Sequence, residues 1–313
     1  MEIQTSISLF GNPSPRWMGR GGYTSEGELS PVAAERLHVG ILVEARYLLE
    51  SQPLGVASEL KARGHKVTVI VPESHAYDTN DIGWLEAMDL MISRGRSAGL
   101  LCLLHFAEAQ GIATINRRAA IGSVSNRAET AVTLLSAGVP TPPAYVGPVR
   151  ELAKRIPADD YPVILKPVYR GGGRGSQVVR SAMELARISW PEPGALAQRF
   201  IPGDGYNIKL YVIGRDVWAL RKPSPLVVPP LPDGGPGAAG PVARLVFPTP
   251  AMEDLARGCG ELFGLEYYGV NCIETPGGLI ATGVDEFPDY AGIDGANERL
   301  ADLALRCARR KKR

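Results

Sequence analysis

The sequence is poor in cysteine, and its few cysteines are widely spaced. Only four occur among 313 residues, namely Cys102, Cys259, Cys272 and Cys307, and no two of them form a CxxC pair. Zinc knuckles and dithiol redox centres both need such closely spaced pairs. The spacing therefore excludes both kinds of site, and we expect four reduced, buried thiols in a cytoplasmic protein.

Excess charge and long apolar runs are also lacking. The 34 lysines and arginines nearly balance the 33 aspartates and glutamates, which leaves a net charge of +1. Such a balance supplies no field that would attract nucleic acid or a membrane surface. No apolar run reaches the ~18 residues of a membrane-spanning helix, and the run at residues 7–10 is too short for a secretory signal. We expect a cytoplasmic protein that binds neither nucleic acid nor membrane.

No protein nucleophile is evident. The sequence has no GxSxG motif, and its four histidines have no serine, cysteine or carboxylate at a useful spacing. His105 lies in an apolar helical segment and is predicted to be a packed core residue. The pattern thus offers no side chain for covalent catalysis.

The composition is typical of a soluble globular protein. Apolar residues make up 45% of the chain and charged residues 21%, and the length suggests about two domains. Residues 1–36, rich in Gly, Pro, Ser and Arg, are predicted to be a flexible arm, and the basic residues 309–313 a frayed tail. The Pro- and Gly-rich segment 226–242 is predicted to be a mobile loop.

Residues 37–120 have the pattern of an α/β domain. Apolar or β-branched runs predict strands that alternate with helical segments of a dozen residues, and this alternation favours a parallel sheet covered by helices. The predicted strands are 38–45, 66–72, 89–94 and 112–116, and the predicted helices are 53–64 and 97–110.

Residues 121–308 have shorter predicted strands, more turns and fewer helices, and they are predicted to form a second domain. A helix at 126–137 begins with Asn126 and Glu129 in a capping-box spacing and ends at Gly138. From about residue 143, short strands joined by tight turns favour a largely antiparallel sheet. These strands are 162–168, 176–180, 195–200, 206–214, 216–222, 243–247, 267–274 and 279–284, with one helix at 252–264.

The strongest local motif is the segment VILKPVYRGGGRGSQVV at 163–179. Lys166 lies near the end of an apolar strand, and the RGGGRGS loop that follows suits a phosphate cradle, because glycines let backbone N–H groups approach an anion closely. Lys166, Arg170 and Arg174 would supply the positive charge of the cradle. No Lys-Ser/Thr follows the last glycine, so the motif is not a Walker loop. The glycine spacing does not fit the dinucleotide fingerprint either.

The order of motifs resembles the ATP-grasp superfamily, in particular its RimK-like amino-acid ligases, with the inositol-phosphate kinases as a second similar branch. The resemblance rests on four segments in this order: SNRAETAVTLLSAGVPTP, the lysine strand with its glycine loop, ALAQRFIPGDGYNIKLYVIG and GVDEFPDYAGI. The resemblance spans about residues 38–300. It implies an α/β (α+β) ATP-grasp fold, with a lid at about 121–200 and a C-terminal antiparallel subdomain at about 201–308.

The resemblance also implies a nucleotide site. Arg127 would stand at the first phosphate-binding lysine of the family, Lys166 would bridge the α- and β-phosphates, and Asp204 could reach the ribose. The glycine loop would cradle phosphate, and the segment from Gln198 would be the hinge whose backbone groups bind adenine. The loop residues are Gly171, Gly172, Gly173, Arg174 and Gly175, and the hinge residues are Gln198, Arg199, Phe200 and Ile201.

Catalytic cations and metal ligands follow from the same resemblance. Lys209, Arg221 and Lys222 would stabilise the phosphoryl group in transfer. The metal pattern departs from the family: Asn271 replaces an aspartate, Gly283 an acidic residue and Asp285 an asparagine. We expect Mg²⁺ to be held by Asp285, with Asn271 and Glu286 as further ligands.

The implied activity is ATP-dependent ligation of a carboxylate to an amine through an acyl phosphate, with release of ADP and phosphate. The substrates would be small molecules or peptides, the protein could form a homodimer, and Arg94 and Tyr290 are candidate substrate contacts. One alternative is a kinase acting on a polyol or inositol phosphate. Another is a nucleotide-binding protein without turnover, since the metal pattern is degraded.

Overall fold

The first sheet is parallel, as the alternation of strands and helices predicted. The computed structural model describes residues 35–170, 175–224 and 243–311. Strands β1 (His38–Val43), β2 (Lys66–Ile70), β3 (Leu90–Arg94) and β4 (Ala113–Ile115) lie in the order β2-β1-β3-β4. All three pairings are parallel. All six residues of the central strand β1 are buried, as expected for a strand covered on both faces.

Three helices pack against this sheet: α1 (Ser51–Ala62), α2 (Ala98–Ala109) and α8 (Ala296–Lys311). Helix α2 begins at Ser97, whose side chain accepts a hydrogen bond from the backbone N–H of Leu100. Helix α8 comes from the other end of the chain and packs on β3, β4 and α1. The C-terminal helix therefore forms part of the core around the first sheet.

The second sheet is antiparallel and has five strands in the order β11-β10-β9-β12-β13. They are β9 (Tyr206–Ile213), β10 (Asp216–Pro223), β11 (Arg244–Val246), β12 (Tyr267–Thr275) and β13 (Gly278–Asp285). Helix α7 (Pro250–Phe263) packs on it, capped by Thr249 at its start and by Gly264 at φ 67° at its end. A left-handed C-cap of this kind suits glycine, which has no Cβ to clash.

The third sheet is also antiparallel, with four strands in the order β5-β8-β6-β7. Its strands are β5 (Ala144–Gly147), β6 (Val163–Pro167), β7 (Gln177–Val179) and β8 (Ala195–Arg199), and the helices beside it are α5 (Val149–Arg155) and α6 (Ala182–Ala186). Helices α3 (Arg118–Ser125) and α4 (Arg127–Ser136) precede it in the chain. The predicted α/β fold with parallel and antiparallel units is confirmed.

Several local predictions were wrong. The frayed tail does not begin at residue 309, because α8 extends to Lys311. His105 is exposed on α2 rather than packed, and Cys102 on the same helix is exposed rather than buried. Helices α3, α5, α6 and α8 and strand β5 were not predicted.

Some predictions lie outside the described residues. These are the arm at 1–36 apart from its last two residues, the loop at 226–242 and the end of the basic tail, Lys312 and Arg313. Among the residues that are described, no helix is both long and apolar enough to cross a membrane.

Candidate functional site

A cavity of about 410 Å³ lies where the two antiparallel sheets face each other. Its walls come from α4, from β6 and β8 of the four-stranded sheet, and from β9, β10, β12 and β13 of the five-stranded sheet. The apolar lining includes Leu134, Ile164, Leu196, Phe200 and Ile273, and the polar lining includes Arg127, Lys166, Arg170, Gln198, Asn207, Lys222, Ser224, Asn271 and Thr282. The cavity thus combines apolar side chains with four cationic ones.

Lys166 enters the cavity from β6. Its Nζ donates a hydrogen bond to Oε1 of Gln198 on the neighbouring strand β8, at 2.6 Å. Burial, together with the positive charges of Arg127 and Arg170, lowers the pKa of Lys166 to about 7. An ammonium held this way lacks an anionic partner and would gain one from a bound phosphate.

Arg127 is the first residue of α4 and is fixed by the helix start. Asn126 caps the helix, because its side-chain oxygen accepts hydrogen bonds from the backbone N–H groups of Ala128 and Glu129. The Arg127 guanidinium donates to the carbonyl oxygens of Pro167, at 2.8 Å, and Tyr169, at 3.2 Å. Burial and Arg170 lower the pKa of Arg127 to about 10.

Arg170 is the fourth cation of the lining, and it is one of the three residues predicted to supply charge to the phosphate cradle. Its Nε donates to the carbonyl oxygen of Val124 at 3.2 Å, and its guanidinium also hydrogen-bonds the carbonyl oxygen of Val284 on β13. The signal in the sequence was its position directly before the glycine loop. The loop residues Gly171, Gly172, Gly173 and Arg174 lie outside the described residues; Gly175 is described and exposed, and only the next residue, Ser176, lines the cavity.

Only part of the predicted hinge faces the cavity. Gln198 is 2% exposed and lines it, as does Phe200, whereas Arg199 points to Asp160 with an N–O distance of 3.6 Å. The backbone N–H groups of Arg199 and Phe200 donate to the carbonyl oxygens of two prolines, so neither is free for a ligand. Ile201 does not line the cavity.

Lys222 and Arg221 are neighbours on β10 and therefore face opposite sides of the strand. Lys222 lines the cavity, and its pKa is lowered by burial and then by the charge of Lys209. Arg221 instead lies over the ring of Tyr206, at 3.9 Å from its centroid, and pairs with Asp204. Neither Arg221 nor Asp204 lines the cavity, so their predicted contacts with phosphate and ribose are not placed there.

Lys209 lies on β9 and is paired with a carboxylate. Its Nζ is 3.0 Å from Oδ2 of Asp285 at the end of β13. Burial alone would raise the pKa of Asp285, but the charges of Lys209, Arg170 and Arg96 outweigh it and hold that pKa below its usual range. Lys209 is thus already neutralised by a side chain.

Glu286 is fully buried and turned toward the first domain. It lies 2.9 Å from Nε of Arg96 and 3.8 Å from Nε of Arg170, and it accepts a hydrogen bond from the hydroxyl of Ser125 at 3.0 Å. Burial raises its pKa, which the two arginines oppose. Of the three predicted metal ligands, only Asn271 lines the cavity.

These residues do not fit a resident Mg²⁺. In the parts of the chain that the structure describes, no carboxylate lines the cavity, and no group of three His, Cys, Asp or Glu side chains could hold a metal ion. Mg²⁺ in proteins is usually held through one or two carboxylates together with substrate phosphates. The carboxylates next to the cavity, Asp285 and Glu286, are instead paired with cations.

The two candidate substrate contacts are buried structural residues. Tyr290 is 1% exposed, and its hydroxyl donates to the carbonyl oxygen of Val212 at 2.7 Å. Arg94 is buried at the end of β3 and pairs with Glu50. Both side chains are thus engaged within the fold, and their contact with substrate stays a prediction.

The family described as "Carbamoyl-phosphate synthase L chain, ATP binding domain" matches residues 126–193, which include Arg127 and Lys166. This segment contains helix α4 and most of the four-stranded sheet. It therefore covers part of one wall of the cavity, the part formed by α4 and β6.

Solved structures match nearly the whole described chain. The RimK domain ATP-grasp protein from Sphaerobacter thermophilus DSM 20745 is 22% identical, with 86% of this chain and 99% of that chain covered and a TM-score of 0.66. The ATP-grasp ligase PsnB, complexed with a minimal precursor, Mg and ADP, is 18% identical, with coverages of 86% and 97% and a TM-score of 0.66.

A third similar structure is the macrocyclase MdnC from Microcystis aeruginosa MRC, bound with the precursor peptide MdnA. It is 12% identical, with 86% of this chain and 100% of that chain covered and a TM-score of 0.67. At such identities the likeness is one of fold. The predicted resemblance is confirmed at the level of the fold, and this chain has the ATP-grasp fold.

Proposed function

We propose that this chain binds ATP in the cavity between its two antiparallel sheets and uses it to join a carboxylate to an amine. The observation that carries the proposal is the convergence of four cations, Arg127, Lys166, Arg170 and Lys222, on one cavity that also has an apolar part of its lining. A volume of about 410 Å³ is in the usual range for a small-molecule site.

The two kinds of lining suit the two ends of a nucleotide. Leu134, Ile164, Leu196 and Ile273 offer flat apolar surface to a purine base, and the buried Gln198 amide could read its edge. Lys166 and Arg127 line the cavity together with Arg170 and Ser176, which flank the glycine motif in the sequence, and the triphosphate would extend among them. Cations placed in a partly buried site stabilise phosphate charge more strongly than they would in water.

When bound, ATP would supply a phosphoryl group to a substrate carboxylate, and an amine would then displace phosphate from the activated acid. Lys222, which faces the cavity, would offset the charge that develops on the transferring group. Lys209 would stabilise the transferring group only if its ammonium left Asp285 and paired with the substrate, because the two side chains are 3.0 Å apart. The chain's contribution is positioning and charge stabilisation.

The proposed acid and amine substrates are small molecules or peptides. PsnB was solved with a minimal precursor and MdnC with a precursor peptide, which supports testing peptide carboxylates for this chain. A homodimer, a cytoplasmic location and the roles of the individual site residues stay predictions. The predicted Mg²⁺ site is not supported by the described lining of the cavity.

The test is trapping of the activated acid. The full-length protein is incubated with ATP, Mg²⁺, pools of amino acids or peptides, and hydroxylamine, and hydroxamate and ADP are measured. We expect equimolar hydroxamate and ADP with at least one pool, and loss of both in Lys222→Met. ATP hydrolysis without hydroxamate in any pool would overturn the ligase assignment.

A second candidate is a nucleotide-binding protein without turnover. The pairing of Asp285 with Lys209 and of Glu286 with Arg96 favours it, since it leaves no free carboxylate beside the described part of the cavity. Nucleotide binding by calorimetry, together with no ADP release in any pool, would select this candidate.

A further inference from the structure

We infer that this chain holds the polyphosphate of a nucleotide with protein cations alone, and that Arg170 occupies the place where a metal-binding side chain would project. The inference rests on the proposed nucleotide site and concerns how that site neutralises its ligand. Three observations support it.

The first is the charge of the cavity lining. Arg127, Lys166, Arg170 and Lys222 all line the cavity, and its described lining contains no acidic side chain. The oxygen atoms near Gly283 that could ligate a metal are neutral: they belong to the Asn271 side-chain amide and the Thr282 hydroxyl. The hydroxyl donates a hydrogen bond to the backbone carbonyl oxygen of Asn271 at 3.2 Å. A divalent cation would be repelled by this lining, whereas a metal-free polyphosphate would be attracted.

The second is the pairing of the nearest carboxylates. Asp285 has Lys209 at 3.0 Å and Arg96 at 4.0 Å, and Glu286 has Arg96 at 2.9 Å and Arg170 at 3.8 Å. To bind a metal, either carboxylate would have to release a buried cation and leave it unpaired. Such a loss is strongly unfavourable in a protein interior.

The third is the geometry at Gly283 on β13. A Cβ atom at this position would lie 3.6 Å from the terminal guanidinium nitrogen of Arg170. Gly283 on β13 is the direct partner of Asn271 on β12, and both residues line the cavity. They therefore lie side by side in the cavity wall. At this spot the chain presents a glycine, an amide and a guanidinium, which together favour an anion.

The experiment is calorimetric titration of the full-length protein with ADP and with a non-hydrolysable ATP analogue, in EDTA and then in excess Mg²⁺. We expect binding in EDTA that is at least as tight as in Mg²⁺. Binding confined to the Mg²⁺ buffer would overturn this inference and leave the proposed function standing. No binding in either buffer would overturn both.

The Asn271→Asp variant calibrates the assay, because it adds one carboxylate of the same size to the cavity wall. We expect its affinity in EDTA to fall and Mg²⁺ to restore it by about tenfold, which is ~1.4 kcal/mol. Asn271→Leu removes the amide without adding charge and is expected to show no gain from Mg²⁺. A wild-type protein with the same Mg²⁺ gain as Asn271→Asp would contradict the inference.

Discussion

The Nζ of Lys166 and the Oε1 of Gln198 are 2.6 Å apart, although neither residue is the other's direct partner across the two strands that carry them. In the β6–β8 register Lys166 lies opposite Leu196, and Gln198 lies opposite Ile164. The lysine therefore reaches diagonally along the sheet to a neutral acceptor. It is a cation that the fold buries with a weak partner, which is the arrangement expected of a side chain awaiting an anion.

Replacing this lysine tests that role. Lys166→Met keeps the length of the side chain and removes its charge, so we expect nucleotide affinity to fall about 10- to 100-fold, in line with ~1.5–3 kcal/mol for a charged hydrogen bond. The melting temperature of the ligand-free protein should change little, because the ammonium is poorly stabilised there. Calorimetry and thermal unfolding measure the two quantities.

The matched control is Lys154→Met, which makes the same substitution on α5. Lys154 is an exposed residue that pairs with Glu151 on its own helix. We expect no change in affinity for this variant. Equal affinities of Lys166→Met and the wild type would contradict the placement of the polyphosphate.

The pH dependence of nucleotide binding should follow Lys166. The pKa of this lysine in the free protein is lowered to about 7, first by burial and then by two arginines. A bound polyphosphate favours the ammonium and raises that pKa, so binding above pH 7 must take up a proton. Affinity is then highest near or below pH 7 and falls, by up to about tenfold per pH unit, as the pH rises to 9.

Calorimetry between pH 7 and 9, in buffers of different ionisation enthalpy, measures both the affinity and the proton uptake. Lys222 contributes in the same direction, because burial and Lys209 lower its pKa as well. Lys166→Arg, which stays protonated throughout this range, should flatten most of the pH profile. An equally steep profile in Lys166→Arg would exclude Lys166 as the titrating group.

The cavity was largely predictable because its wall is built from regular strands. Alternation in β6 and β8 places Lys166 and Gln198 toward one side, and the same rule separates Lys222 from Arg221 on β10. Because neighbouring side chains on a strand face opposite sides, Arg221 and Lys222 could not both line the cavity, and the sequence alone could have shown this. Alternation would also have added Asn207, which lies two residues before Lys209 on β9.

The partners of the carboxylates could not be predicted. Glu286 is held by Arg96, which comes from a loop of the first domain and is distant in the sequence. The two side chains meet because the loop after β3 lies against the end of β13, a contact that no local pattern indicates. The helical pattern of α8 itself was present in the sequence, where Leu300, Leu303 and Ala304 recur at helical spacing and are buried.

The cap of helix α4 should couple stability to binding. Asn126→Ala removes the side-chain oxygen that accepts from the N–H groups of Ala128 and Glu129, and we expect a loss of ~1 kcal/mol in the free energy of unfolding. The first turn of α4 carries Arg127, so fraying it should also weaken nucleotide binding several-fold. Urea unfolding and calorimetry check the two effects.

Thr249→Ala provides the comparison on α7, where Thr249 caps the helix by accepting from the N–H of Met252. It should cost a similar amount of stability and leave nucleotide affinity unchanged, because Thr249 does not line the cavity. If both variants weakened binding equally, loss of general stability rather than the position of Arg127 would be the cause.

The pair of Lys209 and Asp285 should behave as a buried ion pair. Both side chains are less than a fifth exposed and lie 3.0 Å apart. Lys209→Met leaves the Asp285 carboxylate with only the more distant arginines, and we expect a destabilisation of ~3 kcal/mol. The double variant Lys209→Met/Asp285→Asn removes the stranded charge and should regain at least ~1 kcal/mol of that loss.

Acid unfolding gives an independent check on the same pair. Because Lys209 and the neighbouring arginines hold the pKa of Asp285 below its unfolded value, the pair stabilises the protein above about pH 4, and the contribution is lost as the pH falls toward the folded pKa. Lys209→Met should therefore unfold at a higher pH than the wild type, and the double variant should not. Additive stabilities in urea together with identical acid midpoints would mean that Lys209 is solvated in solution, and thus free to contact substrate without first releasing Asp285.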